Sequence, residues 1–270
     1  MTSLAELTCF NHIKLIKTID SGLSSQSYQV YADDKVYFAK KLTTKDESRA
    51  SEIAASQHFS PGILYCDHQW LITQFINGEA LSTSHQSIDE KILISLKLMV
   101  QCHQLDVQVA TLEPKVIINE LIDNASLPNS EKETFLLHAK KLFEPITFSK
   151  NLVCCHGDLN FSNVLTCAHN SWVIDFECVC KAPAEYDLAM FIAVNNIASN
   201  RIPLVIKQYQ SLSPSLIIDT KQLSYFLCFS YFINSLWYKN AYQNQNPKEK
   251  DLLDLYKQQW GCFIDAYNEL

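Results

Sequence analysis

A short polar segment between apolar runs constrains the fold of this chain more than any other feature of its sequence. Residues 156–163 read His-Gly-Asp-Leu-Asn-Phe-Ser-Asn, and the apolar run 152–155 before them predicts a buried strand. After them, residues 163–166 and 172–176 predict two strands joined by a turn. This arrangement brings Asn163 and Asp175 to one end of a hairpin, next to the loop that carries Asp158.

These three side chains have oxygen atoms suited to metal binding and proton transfer. Magnesium prefers hard oxygen ligands and keeps part of its coordination for water and phosphate, so one or two protein groups are enough. An aspartate is ionised at neutral pH and can accept the proton of a hydroxyl. An isolated Asp or Asn in a loop more often forms a turn or caps a helix, but the complete pattern favours a catalytic centre.

The motif resembles that of a known superfamily of small-molecule kinases. His-Gly-Asp-Leu-x-x-x-Asn-Val-Leu, followed by Ile-Asp-Phe-Glu, is similar to the sequences of choline and ethanolamine kinases, thiamine kinases and aminoglycoside phosphotransferases. Eukaryotic-like protein kinases carry Arg and Gly at the positions of Gly157 and Glu177, so the small-molecule branch is the closer match. The resemblance implies an α+β, protein-kinase-like fold with a β-rich N-terminal lobe over residues 1–76 and a mainly helical C-terminal lobe over residues 77–270.

The resemblance also implies a role for each polar residue of the motif. Asp158 would accept the proton of the substrate hydroxyl or orient it, and Asn163 and Asp175 would hold Mg²⁺ on the phosphates of ATP. His156 and Asp187 would be structural, with Asp187 bracing the catalytic loop from the start of a helix. Simple helix capping would place an Asp at the same position, so Asp187 is predicted to be structural in either case.

The first part of the chain alternates like a sheet. Residues 27–31 and 36–40 predict two strands around a turn at residues 32–35, and residues 63–66 and 70–75 predict two more. Helical spacing between these pairs, at Ala50, Ile53 and Ala54, predicts a helix that ends before Ser60-Pro61-Gly62.

Two adjacent lysines compete for the role of phosphate ligand. Side chains alternate along a strand, so Lys40 and Lys41 must point to opposite faces. Lys40 shares its face with Val36 and Phe38, whose apolar character favours Lys40 as the residue that reaches the nucleotide. The other register would select Lys41.

Further groups of the nucleotide site are implied by resemblance. Glu52 resembles the helix residue that pairs with the lysine, and Glu47 is the less favoured partner because an acidic residue near a helix start is expected anyway. Gly22 and Ser24 lie in the segment that resembles the loop covering the phosphates, although an ordinary hairpin turn would have the same composition.

The strand that ends near residue 75 would provide the adenine contact. Gln74 and Ile76 are the predicted hinge positions, where the backbone would meet the edge of the base. A buried edge strand predicts the same residue types, so both interpretations stay open at this point.

Aromatic residues are concentrated near the C-terminus. Trp237 and Tyr238 resemble residues of the closing helices that surround a quaternary ammonium in choline kinases, where aromatic faces attract the cation. With Glu177 they are the predicted substrate contacts. Aromatic clusters in helices are more often plain core, and this alternative also stays open.

Composition limits the class of partner and the compartment. A net charge of −7 and a pI near 5.6, with no basic stripe, argue against nucleic acid. The ten cysteines form no C-x-x-C pair and lie mostly among apolar residues, which favours free thiols in a reducing cytoplasm. No apolar stretch reaches the ~20 residues that span a bilayer, and no signal peptide is recognised.

Together these observations predict an ATP-dependent, magnesium-requiring kinase. Its acceptor would be a small, cationic alcohol of the choline, ethanolamine or thiamine type. Two alternatives stay open: an aminoglycoside or other sugar kinase with the same fold, and a catalytically inactive kinase-like binding protein. ATP and a small hydroxylated metabolite are the expected partners, and the oligomeric state is left open.

Overall fold

The computed structural model describes residues 3–19, 26–125, 127–143, 151–168, 170–244 and 250–270. The chain divides into two compact units, each built from two stretches of sequence. The first contains Met1–Ala110 and Asp158–Cys180, and the second contains Thr111–Gly157 and Lys181–Leu270. The predicted lobe boundary after residue 76 falls inside the first unit, and the division of the chain at that residue stays a prediction.

A five-stranded antiparallel sheet forms the N-terminal part of the first unit, as the alternating pattern predicts. Its strand order is β1-β2-β3-β5-β4. Asp33 and Asp34 connect β2 to β3 with positive φ angles of 49° and 59°, a turn whose twist matches that of the paired strands. The strands span Ile13–Ile19, Ser27–Ala32, Lys35–Lys41, Ile63–Cys66 and Trp70–Gln74, for β1 to β5.

One face of this sheet is covered by the residues that precede β1. Leu4, Leu7 and Phe10 are buried against Ala39 and Ile72. The carboxylate of Asp33 accepts the N–H groups of Asn11 and His12 at 3.0 and 2.9 Å, which fixes the end of the covering segment. Both the turn and the sheet core therefore hold this segment in place.

Two helices and a second sheet complete the first unit. Helix α1, Lys45–Ser56, begins at a Thr44 cap, and α2, Ile88–His103, begins at a capping box formed by Ser87 and Glu90. The second sheet has the order β6-β8-β9, with strands Glu79–Ala80, Val164–Cys167 and Asn170–Val173. The backbone of Gly78 packs closely against β8, and a Cβ atom added to Gly78 would lie 2.4 Å from the Thr166 carbonyl oxygen.

The second unit is mainly helical. Its buried aromatic core includes Phe191, Phe226, Phe229, Phe232 and Phe263. Strands β7, Val153–Cys155, and β10, Cys180–Ala182, pair in a two-stranded sheet. The helices are α3 Pro114–Asn124, α4 Asn129–Phe143, α5 Ala184–Val194, α6 Ile202–Leu212, α7 Thr220–Asn244 and α8 Lys250–Glu269.

The predicted α+β class is confirmed, with a β-sheet N-terminal region and a helical C-terminal part. Among the described residues, no helix combines the length and the apolar character that membrane crossing requires.

Candidate functional site

The loop that follows β7 is braced from the start of α5. The buried carboxylate of Asp187 accepts the backbone N–H of His156 at 3.0 Å and that of Gly157 at 2.8 Å. Gly157 has a φ of 79°, a conformation that strains residues with a Cβ atom. Asp187 thus occupies the bracing position that the resemblance implied, and the glycine allows the sharp turn before Asp158.

Asp158 and Asn163 are joined directly. The Nδ2 group of Asn163 donates to the backbone carbonyl of Asp158 at 2.9 Å and to its Oδ2 at 3.2 Å. Because the amide nitrogen is turned toward Asp158, the amide oxygen of Asn163 is the atom that can serve a metal ion.

A backbone hydrogen bond connects Asn163 to the segment that carries Asp175. The N–H of Ile174 donates to the carbonyl of Asn163 at 3.0 Å, beside the antiparallel pairing of β8 with β9. Asp175 then adopts a left-handed conformation with φ 69° and ψ 67°, which Asp tolerates better than most residues. The two predicted metal ligands, Asn163 and Asp175, therefore lie at one end of the hairpin.

Lys40 lies among three carboxylates. Its ammonium is 2.5 Å from oxygens of both Glu47 and Asp175 and 3.4 Å from Oε2 of Glu177. Burial would lower the pKa of Lys40, but the charges of Asp175 and Glu47 outweigh this effect and raise the pKa above its ordinary value. Lys40 therefore stays protonated at physiological pH.

The contact with Asp175 is made by Lys40, while Lys41 lies on the opposite face of β3. The sequence favours Lys40 because the apolar residues Val36 and Phe38 share its face, and the structure contradicts this reason. The fully buried residue of the strand is Ala39, on the face of Lys41, because Leu4, Leu7 and Phe10 cover that face. Val36 and Phe38, which share a face with Lys40, are each only partly buried.

The helix partner of Lys40 is Glu47, and the prediction of Glu52 is wrong in this respect. Glu47 is fully buried, and its second oxygen lies 3.3 Å from both the N–H and the hydroxyl of Thr43. Glu52 is exposed. Five residues correspond to a rotation of about 140° around a helix axis, so the two side chains cannot face the same strand.

The pKa of the Asp158 carboxyl group is raised above its ordinary value. Burial, together with the charges of Asp175 and Glu177, raises its pKa to about 7, although the hydrogen bonds from Asn160 and Asn163 oppose this change. A raised pKa of this kind is common for catalytic acids and bases.

The three predicted substrate contacts are divided between the two units. Glu177 lies beside Lys40, in the first unit, whereas Trp237 and Tyr238 belong to α7 in the second. Trp237 is 39% exposed and forms an edge contact with the half-buried Tyr238 ring, with centroids 5.3 Å apart. Their substrate roles stay predictions.

The nucleotide-loop and hinge predictions also stay open. Gly22 and Ser24 lie outside the described residues. The N–H of Gln74 donates to the carbonyl of Gly62, the residue before β4, at 2.7 Å, and Ile76 follows β5 as a half-buried residue. An adenine contact at Gln74 or Ile76 is a prediction that this geometry leaves untested.

Sequence reasoning missed one residue of the network, Asn160. Its side-chain nitrogen lies 3.1 Å from each carboxylate oxygen of Asp158, and its oxygen caps the short helical turn at Phe161–Asn163. An Asn directly before a helical turn is a common capping signal, and this signal could have been read from the sequence.

Comparison with known proteins identifies the family. The model of the phosphotransferase enzyme family matches residues 15–212, well over half of the chain. The chain belongs to this family. Among curated protein sequences, none matches the chain significantly. The chain is therefore a phosphotransferase by family.

Solved structures of several small-molecule kinases share the protein-kinase-like fold of this phosphotransferase. A choline kinase from Cryptosporidium parvum has a TM-score of 0.74 at 18% identity, over 96% of this chain and 90% of that one. A choline kinase from Streptococcus pneumoniae has a TM-score of 0.73 at 14% identity, over 96% and 95%. A spectinomycin phosphotransferase, solved with ADP and spectinomycin, has a TM-score of 0.65 at 19% identity, over 96% and 94%.

The residues present have the chemistry that a magnesium ion requires. The oxygen of Asn163 and the carboxylate of Asp175 are hard donors. They would supply the one or two protein ligands that are typical where phosphates complete the coordination. The carboxylate of Glu177, beside the same lysine, adds negative charge on this side of the site.

Proposed function

We propose that this phosphotransferase is an ATP-dependent, magnesium-requiring kinase that phosphorylates the hydroxyl of a small, cationic alcohol. The observation that supports it most is the contact network of Lys40, Asp175, Asn163 and Asp158. Within one compact unit, this network contains a lysine ammonium, an amide oxygen and two carboxylates, which are the groups that the proposed roles require. Phosphoryl transfer needs these groups, because it depends on positioning and charge stabilisation rather than covalent chemistry.

Each residue has a defined task in this proposal. Lys40 would bind phosphate oxygens, with Glu47 holding its side chain in place. Asn163 and Asp175 would bind Mg²⁺, which neutralises charge on the transferring phosphates when bound. Asp158 would orient the substrate hydroxyl and accept its proton. Transfer would be direct and in line, without a phosphorylated enzyme intermediate.

Three observations support a small, cationic alcohol as the acceptor. Two similar structures are choline kinases. The net charge of −7 favours a cationic substrate, and Trp237 exposes an aromatic surface of the kind that binds ammonium groups. Choline, ethanolamine and thiamine fit this description.

All ten cysteines are free thiols, which supports a cytoplasmic location for such a kinase.

Another acceptor with the same fold is the main competing proposal. The spectinomycin phosphotransferase shows that a protein with this fold can hold spectinomycin and ADP. A catalytically inactive binding protein is less well supported, because Asp158, Asn163 and Asp175 are all present. Asn163 hydrogen-bonds to Asp158 and to the backbone N–H of Ile174, the residue before Asp175.

A panel of acceptors tests this proposal. Choline, ethanolamine, thiamine, fructosamine and kanamycin would each be incubated with ATP and Mg²⁺, and ADP release would be measured. We expect release with at least one cationic alcohol, and its loss when Mg²⁺ is chelated. Release with kanamycin alone would favour the aminoglycoside alternative. Failure of every acceptor, together with no magnesium-dependent ATP binding, would refute the kinase proposal.

A further inference from the structure

Asn160 connects the carboxylate of Asp158 to the backbone that carries Asn163. Its Nδ2 lies 3.1 Å from both Oδ1 and Oδ2 of Asp158. Its Oδ1 accepts the N–H of Ser162 at 2.8 Å and that of Asn163 at 3.1 Å. A single half-buried side chain therefore hydrogen-bonds to the predicted proton acceptor and to the backbone of a predicted metal ligand.

The chemistry of these partners requires an amide at this position. Carboxylate oxygens accept hydrogen bonds and backbone N–H groups donate them, so only one orientation of the Asn160 amide satisfies both. Serine or aspartate would cap the helical turn about as well as asparagine. Neither would replace the donor to Asp158, since aspartate lacks a donor and serine is too short to span both partners.

A second amide completes the support of Asp158. The Nδ2 group of Asn163 also donates to Oδ2 of Asp158, at 3.2 Å. Two donors from different positions of the same turn thus fix the plane of the carboxylate. Because Asn160 also holds the N–H of Asn163, the orientation of the proton acceptor and the position of the metal ligand depend on the same side chain.

We propose that Asn160 is a positioning residue for phosphoryl transfer, because it holds the carboxylate of Asp158 and the backbone of Asn163 in one fixed arrangement. This inference rests on the proposed kinase function. It assigns Asn160 an effect on the transfer step that helix capping alone would not have. Small displacements of a catalytic group lower turnover strongly, with a factor of about 100 for an error near 1 Å.

The test compares three substitutions at this position with a control in the same turn. Asn160→Ser keeps the cap and loses the donor to Asp158, Asn160→Asp keeps the cap and adds a repelling charge, and Asn160→Ala loses both contacts. The control is Ser162→Ala, because the Ser162 hydroxyl contacts that of Ser82, at 3.1 Å on the exposed side of the turn.

Each variant is assayed by ADP release with the best acceptor of the panel, or with water as acceptor where none reacts. The KM for ATP, magnesium-dependent ATP binding and the melting temperature are measured on the same preparations. We expect Asn160→Ser to lower kcat about 10- to 100-fold with a nearly unchanged KM for ATP. Asn160→Asp should lower kcat at least as much, and Ser162→Ala should match the wild type.

Two results would overturn the inference while the kinase function stands. In the first, Asn160→Ser keeps wild-type kcat and only Asn160→Ala loses thermal stability, so that Asn160 is a helix cap alone. In the second, Asn160→Ser raises the KM for ATP without changing kcat, so that its effect is on nucleotide binding. A wild-type protein that neither binds ATP with Mg²⁺ nor releases ADP would instead refute the proposed function, and with it this inference.

Discussion

Lys40 and Lys41 are adjacent in sequence but have different surroundings. Lys40 is buried among carboxylates, whereas Lys41 is half-buried on the opposite face of β3. Lys40→Met should raise the KM for ATP and lower kcat, because a phosphate ligand acts in both the ground state and the transition state. Lys41→Met should have little effect. Steady-state kinetics on folded preparations check this, and the opposite pattern would exchange the two roles.

Glu47 and Glu52 form a second matched pair, both on α1. Glu47 contacts the Lys40 ammonium and Glu52 is exposed. A hydrogen bond to a charged group contributes about 1.5–3 kcal/mol, so Glu47→Gln should lower kcat/KM for ATP roughly 10- to 100-fold. Glu52→Gln should retain wild-type kinetics. Equal losses in the two variants would contradict the assignment of Glu47 as the partner of Lys40.

The raised pKa of Asp158 predicts a pH dependence of catalysis. Asp158 must be ionised to accept a proton, and a pKa of about 7 means that the ionised form predominates only above that pH. The value of kcat/KM should therefore rise with pH through about 7 and level off above it. A profile that is flat between about pH 5 and 9 would show that this carboxylate does not limit turnover.

At the scale of single elements, local pattern identified several of the strands and the central loop, but it did not predict β1, β6 or β10. The alternation over 27–31 and 36–40 identified β2 and β3, and their turn is closed by Asp33 and Asp34 at positive φ. The apolar run before His156 identified β7. These features depend on neighbours in sequence, and the sequence contains all the information that they require.

Choices that depend on packing could not be made in this way. Glu47 and Glu52 have the same chemistry, and only the side of α1 that faces β3 distinguishes them. The aromatic residues of α7 have similar side chains, yet Phe232 is fully buried and Trp237 is 39% exposed. Burial of this kind is decided by neighbouring elements, which lie far away in the sequence.

Helix α7 provides a stability test of this difference. The Phe232 ring is buried against the rings of Phe135 and Phe263, at centroid distances of 5.9 and 4.9 Å. Phe232→Ala should therefore cost about 3–5 kcal/mol of unfolding free energy through the cavity that it leaves. Trp237→Leu, on the same helix, should change stability much less. Denaturant unfolding of both variants checks this, and equal losses would contradict the separation of core from surface.

The same Trp237→Leu variant tests the substrate role of the exposed ring. If Trp237 contacts a cationic acceptor, loss of its π face should weaken that acceptor roughly five- to thirty-fold and leave ATP binding unchanged. An unchanged KM for every cationic acceptor would remove Trp237 from the substrate site.

At the scale of the whole molecule, the site joins residues that are distant in sequence. Lys40 and Asp175 are separated by 135 positions and are in direct contact. Periodicity and spacing cannot predict such a contact, because they report only on nearby residues. The resemblance to small-molecule kinases supplied the expected order of the lysine and the two aspartates, and the fold of the first unit brings Lys40 and Asp175 together.

The central claim is that this chain transfers the terminal phosphate of ATP to a hydroxyl that Asp158 orients. The most direct measurement is the rate at which wild type and Asp158→Asn form phosphorylated acceptor, followed by phosphorus NMR, with ATP affinity determined on the same preparations. We predict a kcat that is about 10²- to 10⁴-fold lower in the variant, with ATP binding retained. A variant that keeps more than about a tenth of wild-type turnover, well outside that range, would contradict the claim.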